Sequence, residues 1–136
     1  MHGGPDGDGR ARHVRGDRLM DDLTPVRIEQ HILGLSNRIA KSAGECNTRY
    51  KAFLDADREF DRAFAQAYLD HEGPQSEKRY AADAATMKER EARDVADAAH
   101  RYADRLSKAL QSELLAYQSL SKSIIAQYQV AGVGER

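Results

Sequence analysis

The sequence predicts an all-α protein: a long antiparallel two-helix hairpin of coiled-coil character behind a disordered N-terminal tail, with hairpins associating into a four-helix arrangement. Three observations predict it. Apolar residues recur at three- and four-residue steps through two long segments that no proline interrupts. One Gly73-Pro74 break separates the two segments. Across 136 residues, 40% are hydrophobic and 32% charged, with no Trp, which suits a thin apolar seam better than a thick core.

Residues 1–23 hold glycine and charge but little apolar side chain to bury, so they are expected to be a disordered tail. Within them "RARHVRGDR" sets Arg10, Arg12, Arg15 and Arg18 against one aspartate. These arginines are the candidate nucleic-acid contact, with a solvated tail as the plainer reading. Met20 offers a second translation start.

The first helix is expected over 24–71. Thr24 is its N-cap and Pro25 its first residue, where a missing N–H costs nothing. Its stripe reads Ile28, Ile32, Leu35, Ile39, Ala43, Cys46, Tyr50, Phe53, Phe60 and Phe64, with Asp57 interrupting and an extra four-residue step at Ala43 acting as a stutter. Gly34 and Gly44 each cost about 1 kcal/mol relative to Ala. A turn is expected over 72–76, where Gly73 and Pro74 break the helix and Ser76 caps the next.

The second helix is expected over 77–128, completing a hairpin over 24–131 with 132–136 as a frayed tail. Its stripe reads Tyr80, Ala84, Met87, Val95, Ala99, Tyr102, Leu106, Leu110, Tyr117, Leu120 and Ile124. A turn centred on Gly73 and Pro74 sets Phe60 against Met87, Phe53 near Val95, Cys46 near Tyr102 and Ile32 near Leu115. Most of these pairs join apolar to apolar.

Charge narrows the function classes. The 21 basic and 22 acidic residues nearly cancel, with a pI near 6.5, so the chain as a whole has no field for nucleic acid or a membrane. Pairs such as Glu89 with Arg93 and Asp97 with Arg101 mix acids and bases along the second helix, as on a solvated face. Cys46 is the only cysteine, which excludes an internal disulfide, and no apolar run approaches the roughly 20 residues that span a bilayer. A cytoplasmic protein without a membrane partner is expected.

Two clusters invite a metal. Asp70, His71 and Glu72 are consecutive, so on a helix they diverge by about 100° each and cannot converge on one ion. Asp97 and His100 share a face, with Cys46 near their level on the other helix, but a di-iron site of the bundle type needs a second such motif, which the sequence lacks. No metal, cofactor or catalytic residue is therefore expected, and the protein is expected not to be an enzyme.

The open end of the hairpin carries more apolar side chains than one seam can bury. Ile28, Ile32, Leu33 and Leu35 on the first helix meet Leu114, Leu115, Tyr117, Ile124 and Ile125 on the second. These nine are the expected oligomer interface.

The text "KEREARDVADAAHRYADRLSKALQSELLAYQSLSKSI" resembles small helical-hairpin proteins of unassigned function encoded by actinobacterial phages and prophages, and the likeness extends from Met20 to Tyr128 in length and texture. The resemblance implies a phage setting and assigns no residue a role. The expected function is a non-enzymatic interaction or assembly module that binds further copies of itself, or a phage or host protein in their place. The alternative is an accessory factor in phage DNA recombination or replication, touching single-stranded DNA or a recombinase.

Overall fold

The computed structural model describes residues 24–134; the tail with Arg10, Arg12, Arg15 and Arg18 lies outside the described residues. Those described are almost wholly helical, in three helices: α1 (Pro25–Asp70), α2 (Gln75–Ala85) and α3 (Met87–Gly134). The two long helices pack together. The described residues divide into two compact units: Ile39–Ala109 forms one, and residues 24–38 together with 110–134 form the other.

Thr24 starts α1. Its Oγ1 accepts from the Arg27 N–H at 3.4 Å, which satisfies one orphan donor of the first turn, and its carbonyl accepts from the Ile28 N–H at 3.0 Å, which starts the helical ladder. At the other end of α1, residues 71–74 are non-helical. The His71 side chain folds over Gly73, so close that a Cβ there would fall 2.6 Å from Nε2 and the imidazole would have to move aside. Pro74 precedes α2 with no side-chain cap, so Ser76 stands inside the first turn instead of capping it.

The second helical segment is not continuous. It breaks at Thr86, which is 1% exposed and whose Oγ1 donates to the Ala82 carbonyl at 2.7 Å. A threonine hydroxyl bonded back to the i−4 carbonyl competes with the helical ladder and bends it. The Thr86 N–H reaches only the Asp83 carbonyl, at 3.4 Å, and Arg90 Nη2 donates to Asp83 Oδ1 at 2.6 Å across the break. Beyond it α3 continues to Gly134 rather than ending at Tyr128.

The break changes what faces what within Ile39–Ala109. Phe60 lies beneath the guanidinium groups of Arg93, 4.5 Å from the ring centroid, and Arg90, at 5.6 Å, not against Met87. Asp57 pairs with Arg93 at 3.9 Å, Tyr50 packs on His100 with centroids 5.1 Å apart, and Ser42 hydrogen-bonds Ser107 at 3.1 Å. Each partner sits two to three residues later on α3 than a register centred on Gly73 and Pro74 would put it.

The seam follows the shifted register. On α1, Ser42 is half-buried and Ala43 exposed, so the three-four rhythm passes from Ile39 through Ser42 to Cys46 without a stutter. On α2 and α3 the inward positions are Ala82, Thr86, Glu89, Arg93, Ala96, His100, Ala103 and Ser107, all buried or half-buried. Tyr80, Met87, Val95, Tyr102 and Leu106 are exposed instead. The reason is complementary volume: α1 supplies Phe53, Leu54, Phe60 and Phe64 at half-buried positions, and small residues facing bulky ones allow native packing density.

In the other unit the seam is conventionally apolar. Ile28, Leu35, Leu110 and Ile124 are buried, with Ile32, Leu114, Tyr117 and Leu120 half-buried beside them. His31 stacks on Tyr117 at 5.2 Å between centroids and 21° between planes.

Candidate interaction surface

The nine interface candidates fall into three groups. Ile28, Leu35 and Ile124 are buried within a single copy of the chain, so they can join an interface between copies only if the helix pair opens. Their 3.6-residue spacing points them inward. Ile32, Leu114 and Tyr117 are half-buried on the edges of the seam. Leu33, Leu115 and Ile125 stand clear of it, at 64%, 65% and 44% exposure.

That last group has further exposed neighbours. Val26 shares a face with Leu33, seven residues away, and is 63% exposed. On α3, Ser123, Ala126, Gln127, Val130 and Ala131 line a shallow groove of about 510 Å³. Their i, i+3, i+4, i+7, i+8 spacing is that of an amphipathic stripe, a signal hidden by the expectation that the helix ends at Tyr128.

No chemistry gathers elsewhere. Among the described residues no group of three or more His, Cys, Asp or Glu side chains could hold a metal ion. Asp97 accepts from Arg101 Nε at 3.0 Å, His100 rests on Tyr50, and Glu45 is bound to Arg49 at 2.8 Å, so the three polar groups near Cys46 are each engaged by another partner. Asp70 accepts from Gln66 at 2.8 Å, and His71 Nε2 lies 3.7 Å from Glu77 Oε2 across the turn, away from Asp70 and Glu72. Glu89, the expected partner of Arg93, instead occupies the seam with Oε2 buried and without a hydrogen bond, while Arg93 turns to Asp57 and Asp94.

Hydrogen bonds from Arg62, at 2.6 and 3.0 Å, hold the exposed Glu59 carboxyl below its ordinary range and raise the arginine in return. Such an exposed pair contributes little to stability. No described helix is long and apolar enough to cross a membrane.

Compared with known proteins, the chain matches no family model, no curated protein and no solved structure.

Proposed function

We propose that the protein is a non-enzymatic interaction module, a helical hairpin whose copies associate into a four-helix arrangement through the exposed apolar side chains of the unit that holds both helix ends. One observation carries this reading: Leu33, Leu115 and Ile125 stay exposed although the seam beside them is complete. Leaving such side chains in water forfeits about 1.5 to 3 kcal/mol each. Covering them with a second copy recovers that energy. A phage or prophage setting belongs to the same reading on the strength of the resemblance alone.

Light scattering at micromolar concentration tests it. The wild-type chain is expected to be a dimer or larger, and Leu115→Lys with Ile125→Lys is expected to weaken association at least tenfold, since each lysine sets a charge in a desolvated contact. Both positions are exposed in one copy, so the helix content of the variant should not change. A monomeric wild type would sink the reading.

A further inference from the structure

We propose that the outer face of α2 and α3 in the unit Ile39–Ala109 meets a second copy of the chain, the two α3 helices running antiparallel across a two-fold axis at Ala98. The proposal rests on the self-association reading and adds a contact distinct from the one at Leu115 and Ile125.

The face is apolar where a solvated face has no need to be. Met87, Val95 and Tyr102 are 60%, 63% and 68% exposed and lie on the side of α3 turned away from the seam residues Ala96 and Ala103. Ala98 separates Val95 from Tyr102 along the same stripe. A shallow groove of about 630 Å³, open to solvent, runs between Met87, Lys88, Arg90, Glu91, Asp94, Val95 and Ala98.

Charge selects the occupant and its direction. Before Ala98 the rim carries the acids Glu91 and Asp94 beside Lys88 and Arg90, the last of which is held by Asp83 at 2.6 Å; after it stand Arg101 and Arg105. Glu91 precedes Ala98 by as many residues as Arg105 follows it, so a two-fold axis at Ala98 brings Glu91 of each copy level with Arg105 of the other. The same axis sets Asp94 within one residue, about 1.5 Å of helical rise, of Arg101. Both relations occur twice, as an isologous contact requires. Parallel copies would put Glu91 beside Glu91 and Arg105 beside Arg105, so the pattern excludes that arrangement.

The groups are free to serve. Among the described residues Glu91 and Arg105 have no ion-pair partner. Asp94 touches only its neighbour Arg93, at 3.4 Å, and Arg101 holds Asp97 at 3.0 Å through an exposed helical pair that a second carboxylate can join. The axis also carries Tyr102 of each copy to the level of Asp94 and Val95 of the other, where the groove lies, so two rings fill two grooves. At the periphery it brings Lys88 level with Lys108, which already holds Asp104 at 3.0 Å.

Charge exchange in the full chain tests the contact. Glu91→Arg with Asp94→Arg makes all four exchange positions basic, and Arg101→Glu with Arg105→Glu makes all four acidic. Each double variant alone is expected to lose at least half of the wild-type mass in sedimentation at micromolar concentration, with its helix content kept. Mixed in equal amounts, the two are expected to recover the wild-type mass, because each of these four positions then faces its opposite. An unchanged mass for either variant, or no recovery on mixing, would overturn the contact. Should a double variant fail to fold, Ala98→Cys in a Cys46→Ser background decides the matter, since the axis sets Ala98 against itself. Mild oxidation is expected to join most of that variant into a disulfide dimer, and a chain that stays uncross-linked removes the proposal. A monomeric wild type removes the self-association reading as a whole, whereas an oligomeric wild type with unaffected variants removes this contact alone.

Discussion

Ile28→Ala is expected to lower the unfolding free energy by about 2 to 5 kcal/mol, the range for cutting a fully buried branched side chain to a methyl. Ile28 is 0% exposed and its neighbours along the seam, Leu35 and Ile124, are buried too, so no solvent-facing side chain can swing in to fill the void. Leu33→Ala, a similar truncation five residues further along α1, should cost within about 0.5 kcal/mol at a concentration where the chain is monomeric, because Leu33 is exposed. At higher concentration the cost of Leu33→Ala should grow, as stability coupled to association does. Denaturant melts of both variants read the difference. Equal midpoints at low concentration would mean that Ile28 is not the buried member of the pair.

Phe60→Ala is expected to cost about 3 kcal/mol by losing a half-buried ring. The loss has a polar component that a leucine or methionine would not restore. Arg93 lies 4.5 Å from the ring centroid and Arg90 5.6 Å, cation–π geometry worth about 0.5 to 2 kcal/mol per contact. Without the ring, Arg93 keeps only Asp57 and Asp94. Glu89→Ala should be close to neutral by comparison. It forfeits an attraction to Arg62 but also removes a buried carboxylate oxygen that has no hydrogen bond. Phe60→Ala and Glu89→Ala shifting the midpoint alike would show that the aromatic layer does not hold this unit together.

The stripe of α1 was legible because large apolar residues at three- and four-residue steps mark its inner face, and Ile28, Leu35, Phe53 and Phe60 all lie on it. The cap at Thr24 was legible for the same reason: one residue type at one position does one job. From Leu110 onward the inner face of α3 was legible in the same way, but the inner face of α2 and of α3 as far as Ser107 was not, because it is made of Ala, Thr, Ser, Glu, Arg and His while Met87, Val95 and Tyr102 sit outside. Size alone picks the wrong face when one helix supplies the bulk and the other supplies the space. The register followed the same misreading, since nothing in "AATMKE" announces that Thr86 will bind the Ala82 carbonyl and interrupt the helix. Of the interface candidates, periodicity set Ile28 and Ile124 in the seam and Leu33, Leu115 and Ile125 beside it, and the first two are buried while the last three are exposed.

The interruption at Thr86 has a consequence for how the molecule opens. It leaves α2 as an 11-residue helix bounded by the non-helical residues 71–74 on one side and by Thr86 on the other. A helix of that length is marginal in water by itself, so α2 is ordered only while Ala82 and Thr86 stay docked. It can therefore detach and return as a unit while α1 and α3 keep their own hydrogen-bond ladders. Backbone amides of Tyr80 to Asp83 should then exchange with deuterium faster than those around Ala103, at a rate that does not follow global stability. Equal protection in the two stretches would mean that the helix on both sides of Thr86 opens as one.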